Sequence, residues 1–196
     1  MPRLRIDALH DGDAAALFAY RGDADVARYQ GWRPQSLAEA AAFIERQRDV
    51  VPDADGGWRP FALRRRDGGT LVGDLGLHVV DDATVELGIT LAPTWQGQGL
   101  AGEAMRAMLA LAFEGMGMHR ALASVDPRNV PCVRMLERIG LRKEAHFREK
   151  PALGRWLGRR CDLRDARAGV GIASRGVVRS RLSFSASPAS AFPCPA

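Results

Sequence analysis

Three cysteines in 196 residues, Cys132, Cys161 and Cys194, are too few and too widely spaced for a disulfide framework, and no C-x-x-C pair offers a zinc site. Long apolar runs are missing too. None approaches the roughly 18 residues that span a bilayer, and the N-terminal MPRLRIDALHDGD lacks the apolar stretch of a secretory leader. The expectation is a cytoplasmic protein with no membrane partner. Most of the chain also lacks net charge. The total is +5, but seven arginines and two aspartates fall in 158–196, which leaves 21 basic and 21 acidic residues before them. A neutral body with a basic tail argues against a nucleic-acid groove. What is present is 46% apolar and 26% charged residues, the composition of a folded domain rather than a disordered polyelectrolyte. The length suits one domain with an appendage.

Patterning predicts the elements. PRLRIDAL (2–9) alternates as a first strand, and Asp11 or Asp13 caps a helix through Tyr20. Ser36 and Glu39 form a capping box, with Leu37, Ala40, Ala41, Phe43 and Ile44 at helical spacing behind it, to an end near Asp49. VPDADGG marks a loop. WRPFALRRR (58–66), TLVGDLGLHVV (70–80) and TVELGITL (84–91) follow as a meander of antiparallel strands. A helix begins after Gly99 and stops at Gly115 and Gly117. RALASVD (120–126) is a buried-type strand. Asn129 caps a second helix with Pro131 in its first turn and Gly140 at C′. LRKEAHF (141–147) is the last clear strand.

The chemistry lies in TWQGQGLAGEAM (94–105). Gly97, Gly99 and Gly102 spell G-x-G-x-x-G, the dinucleotide fingerprint, and Gln96, Gly99 and Ala101 spell Q-x-x-G-x-A, a turn that holds coenzyme A. Either would place a phosphate on free N–H groups at a helix start. Asp126 stands 24 residues after Gly102, near where a ribose-binding acid belongs, and keeps an NAD-binding oxidoreductase open. Against it, APTWQ separates the preceding strand from Gly97, and the upstream elements are hairpins rather than a mononucleotide-binding half.

Residues 84–102 together with DPRNVPCVRMLERIGL (126–141) resemble the GNAT superfamily of N-acetyltransferases, most like the ribosomal-protein N-terminal acetyltransferase-like (Rim-type) branch. The resemblance covers about residues 3–157. It implies a mixed α/β (α+β) fold, with a central, mostly antiparallel, splayed sheet flanked by helices. It implies acetyl-CoA in the splay, with backbone groups of Ile89 and Leu91 beside the pantetheine arm. The pyrophosphate would lie on the amides of Gln96, Gly97, Gln98, Gly99, Leu100, Ala101 and Gly102. Asn129 would contact the coenzyme arm or serve as a plain N-cap. Cys132 stands where relatives often carry a serine that protonates the leaving thiolate, or is a small helix residue. Glu86, an acid on the central strand near the splay, is the candidate general base, directly or through a water. His78 and His119 are weaker candidates. Tyr29 and Trp32 fall in a substrate-side loop and would line the acceptor pocket, or serve in packing.

The implied reaction moves an acetyl group from acetyl-CoA to a primary amine, a protein N-terminus or a small molecule. The alternatives are a non-catalytic or damaged CoA-binding relative and the oxidoreductase.

GRW (154–156) resembles the lead into a final strand, but residues 158–196 read as an Arg-, Ala-, Ser- and Pro-rich tail that is disordered, with that strand missing or replaced. A frameshift would explain it. With suitable synonymous codons, reading from the second nucleotide of the Gly158 codon turns RRCDLRDARAGV into DDVIYAMLAREW. Cys161 can shift only to Val or Ala, Asp162 only to Ile or Thr, and Asp165 only to Met or Thr. A lost strand would leave an open sheet edge that could form dimers.

Overall fold

The computed structural model describes residues 1–48, 57–147 and 160–166. Seven strands form one sheet: β1 (Leu4–Asp7), β2 (Arg59–Arg65), β3 (Leu71–Asp81), β4 (Thr84–Leu91), β5 (Arg120–Val125), β6 (Arg142–Phe147) and β7 (Arg160–Ala166), in the order β1-β2-β3-β4-β5-β7-β6. Every neighbouring pair is antiparallel except β4 and β5. That parallel pair needs a crossover, and α4 (Leu100–Ala110) with the π turn Leu111–Gly115 supplies it.

Alternation along β4 divides the two faces. Val85, Leu87 and Leu91 are buried with Leu100, Met105 and Met108 of α4 and Leu136 of α5 (Val130–Arg138) in the main core. On the other face, α1 (Ala14–Arg21) and α3 (Leu37–Gln47) bury Leu17, Tyr20, Ala40 and Ile44 against Ala62 and Leu71. Four-residue α2 (Ala24–Ala27) leads into the Tyr29–Gln30 segment, its first amides capped by Asp23. Ser36 caps α3 through the Glu39 N–H (3.1 Å), while Glu39 accepts from Gln35 N. Gly140, with φ +101, follows the end of α5.

Two expectations are corrected. Asp13 occupies the N-cap position of α1, but its carboxylate bonds none of that helix's amides. Arg64 takes it in a bidentate pair at 2.7 and 2.6 Å, and His10 N–H adds a bond at 2.8 Å. A buried guanidinium 51 residues away outcompetes the local helix amides for this carboxylate. The second correction concerns the end of the sheet. Residues 160–166, read as part of a disordered tail, form β7 between β5 and β6, with Ala121 opposite Asp165 and Ala123 opposite Leu163. Ladder bonds are made by backbone groups, so an unpaired β5 edge accepts an extended segment of unpromising sequence. The expected lead-in at 154–156 and the rest of the tail lie outside the described residues.

Candidate active site

The site begins where two strands part. β4 and β5 pair only over Thr84–Arg120, Val85–Ala121 and Glu86–Leu122, and beyond Glu86 the register ends. The opening cleft is walled by Leu87, Gly88 and Ile89 on one side and Ala123, Ser124 and Val125 on the other. Asn129 and Cys132 of the α5 turn and Tyr29 and Gln30 complete its lining. Gln30 is fixed there because Thr90 Oγ1 donates to its Oε1 at 3.0 Å.

Beside the last β4–β5 pair, Ser124, which lines the cleft, donates its Oγ–H to Glu86 Oε1 at 2.5 Å. Ser124 alternates with buried Ala121, Ala123 and Val125, so it shares the non-core face with Glu86. The candidate base is thus held by a neighbour that sequence reading missed. The available signal was a serine on the outward phase of the strand RALASV, a phase it shares with Arg120 and Leu122.

Between the end of β4 and the start of α4 stands the glycine turn. Gly97 and Gly99 have φ of +73 and +76, a region that costs other residues roughly 1–2 kcal/mol. Among the described residues, the backbone N–H groups of 97–102 find no backbone acceptor. The Gln96 amide instead bonds Pro93 O at 3.2 Å, and ladder-type bonding resumes with Glu103 N to Gly99 O. Six amides at the positive end of an eleven-residue helix suit an anion such as a pyrophosphate in charge. Gln96 contributes its side chain: Nε2 donates to Leu91 O at 3.0 Å, tying the turn to the end of β4. The Leu91 carbonyl expected beside a pantetheine arm therefore already accepts one bond.

The turn is braced from below. Glu103, buried in the first turn of α4, accepts from Arg3 N, Arg3 Nε and Leu4 N, while Arg3 Nη1 donates to Gln98 O. Burial pushes the Glu103 carboxyl up, but these bonds and the Arg3 charge outweigh it and hold the pKa below the ordinary value. The guanidinium offsets an anion that would otherwise oppose a phosphate. Arg106, exposed and without an ion-pair partner among the described residues, folds back to within 3.6 Å of the space above Gly102. It adds a second cation that the motif reading did not include.

The remaining candidates separate. Asn129 Oδ1 accepts from Cys132 N at 3.3 Å, so it is an N-cap that also faces the cleft. Burial pushes the Cys132 thiol up to about 11. Tyr29 lies in the cleft wall, whereas Trp32 stacks on Phe43 at 4.3 Å beneath Arg21, away from it. His119 is exposed before β5. His78 lies opposite Glu86 across the β3–β4 ladder. Asp126 is bound by the Arg128 N–H and guanidinium at 2.6–3.1 Å, which leaves it poorly placed to hold a ribose. A meander ending in a splayed pair is also not a dinucleotide-binding half, so the oxidoreductase alternative is not favoured.

Known proteins resemble this chain in sequence and fold. The family profile described as an acetyltransferase (GNAT) domain matches residues 3–142. The chain is 29% identical over 148 residues to the uncharacterized N-acetyltransferase YnaD of Bacillus subtilis, covering 75% of this chain and 84% of that one. It is 26% identical over 159 residues to the uncharacterized N-acetyltransferase p20 of Bacillus licheniformis, covering 79% and 88%. A GNAT-family acetyltransferase structure from Bacillus anthracis superposes with a TM-score of 0.73 at 25% identity, over 84% of this chain and 95% of that one. The fold is also that of a Vibrio cholerae spermidine N-acetyltransferase solved with CoA and spermine, at a TM-score of 0.71 and 20% identity over 85% and 96%. With the splay, the amide cradle and the matching family profile agreeing, the chain belongs to the GNAT acetyltransferases and is an acyltransferase that binds an acyl-CoA.

Proposed function

We propose that this protein transfers the acetyl group of acetyl-CoA to a primary amine, either a small molecule or a protein N-terminus as in the Rim-type branch. The observation that carries the reading is a carboxylate, Glu86, held at the point where β4 and β5 part, with an amide cradle in the turn that follows β4. Acetyl-CoA supplies the activated thioester. The amides of 97–102, with Arg3 and Arg106 nearby, hold its phosphates. Ile89 and Asn129 flank its arm.

The chain's own contribution is to seat the amine and move protons. An ammonium is not a nucleophile, so a proton must leave the nitrogen. Glu86 receives it, directly or through one water, while Ser124 keeps the carboxylate at one orientation. Tyr29 and Gln30 cover the cleft on the acceptor side and exclude bulk water.

The first test is a thermal-unfolding titration with acetyl-CoA beside NAD. The expected result is a Tm that rises with acetyl-CoA alone, followed by thiol release when amines are added. A rise with NAD and none with acetyl-CoA would overturn the reading. Stabilisation by acetyl-CoA without thiol release, across amines and N-terminal peptides, would favour the non-catalytic alternative.

A further inference from the structure

On the sheet face shared by Glu86, side chains stand in opposed rows. Asp74 faces Thr90, Gly76 faces Gly88, and His78 faces Glu86. The middle row is bare backbone, and Trp58 lies in it. Its Cε3 and Cζ3 atoms come within 2.8 and 3.2 Å of where a Cβ on Gly76 would stand, and Cζ3 within 3.4 Å of one on Gly88. The His78 ring packs on the indole with centroids 5.6 Å apart, tilted by 30°. Two glycines opposite one another weaken a sheet; here they make room for one large ring. Yet 43% of Trp58 remains exposed. Gly88 serves twice, as the floor beneath the indole and as a wall of the cleft.

The position of the ring suggests its occupant. Successive rows on one face are two residues apart, roughly 7 Å along the strand. Trp58 is thus one row from the Glu86 carboxylate. An indole presents a negative π-face that attracts an ammonium, more strongly when partly desolvated. Within the same patch, Asp74 is already bonded by Tyr20 and Arg21, which leaves the indole as the attractive surface in the bare row. We propose that Trp58 is a specificity-determining residue that receives a second cationic group of the acceptor. The reacting amine lies at Glu86, and a linker of about four to five carbons spans the row between. The acceptor class is therefore a flexible dication. This rests on the acetyl-transfer reading above.

The test compares three primary amines of one length: 1,5-diaminopentane, 5-amino-1-pentanol and 5-aminopentanoate, with saturating acetyl-CoA and thiol release as the readout. The expected order of kcat/KM is diamine, alcohol, carboxylate, with the diamine at least tenfold above the alcohol. Trp58→Ala should lower the diamine-to-alcohol ratio about tenfold, through KM rather than kcat. Gly76→Ala, which drives a methyl against the ring, should lower it while keeping the indole, and Trp58→Phe should restore part of it. An absent preference for the diamine, or one unchanged in Trp58→Ala, overturns the proposal. Failure of all three amines in a chain whose Tm rises with acetyl-CoA overturns it as well and leaves the cofactor reading standing. No rise with acetyl-CoA defeats both.

Discussion

Glu86 and Ser124 divide the work of one position. Glu86 is the last residue of β4 paired to β5, and Ser124 reaches back to it from two residues beyond the last pair. Glu86→Gln is expected to lower kcat by about 10²- to 10⁴-fold while the Tm shift with acetyl-CoA is retained; a kcat within threefold of the parent would remove Glu86 from the chemistry. Ser124→Ala is expected to lower kcat about threefold to tenfold, with Ser124→Thr recovering most of it, because the hydroxyl positions the carboxylate and accepts no proton itself. Cys132 illustrates how environment changes the reading of a letter. A free thiol near 8.5 is matched to a departing thiolate, but burial lifts this one to about 11. Donating its proton to an ordinary thiolate is then uphill by on the order of 3 kcal/mol. The sign is that of a weakened acid: the group stays a neutral thiol below about pH 11 and adds no descending limb to the rate profile before then. Cys132→Ala is expected to cost less than about threefold in kcat, and a 100-fold loss would reinstate it as the acid.

At the scale of elements, what could be read in the sequence was local. The Ser36–Glu39 box, the glycines around α4 and the Asn129–Pro131 start of α5 each encode their structure within a few residues, and the structure has them there. What escaped was non-local. Trp58 had no periodic signal because the floor it lies on consists of glycines on two later strands. Asp13 looked like a cap because its partner Arg64 belongs to another strand. That pair joins β1, the first helical turn and β2, since Arg64 Nε also donates to Asp7 at 2.9 Å. Burial pushes Asp13 up, but the Arg64 hydrogen bonds, the His10 N–H and the guanidinium charge together hold it below its usual value. A lowered folded-state pKa gives stability that is present above pH 3.8 and is lost as pH falls through the folded value. Arg64→Met is expected to destabilise by about 3–5 kcal/mol at pH 7, because it strands a buried carboxylate. Arg64→Met with Asp13→Leu should recover much of that and flatten the fall in stability below pH 4. Denaturant unfolding of the three chains at pH 7 and pH 3.5 reads both effects. Equal losses in the single and double variants would mean that the pair contributes only packing.

The whole molecule presents a sheet whose penultimate strand is unlike its neighbours. β7 runs between β5 and β6, an interior position, yet its residues, RCDLRDA, include two arginines and two aspartates. The alternative frame reads DVIYAML over the same seven codons, apolar at six of seven positions. The strand that the fold places at 160–166 therefore coincides with the segment that a shifted frame would make strand-like. We propose that the present tail from residue 158 is the product of a frameshift, and that the domain's original last strand is the shifted reading. The ladder to β5 and β6 is made of backbone bonds and forms with either sequence, so the amide cradle and the Glu86–Ser124 pair, all upstream, would remain in both chains. Stability would not remain equal. An interior strand that buries even two more apolar side chains gains about 3 kcal/mol, which for a domain of this length is roughly 6–12 °C in Tm. The frame-restored chain is expected to melt higher by that margin and to show the same acetyl-CoA-dependent rise. Equal melting temperatures would mean that RCDLRDA serves as well as DVIYAML, and clean genomic reads across codons 154–160 alongside that equality would make the basic tail a genuine part of the protein.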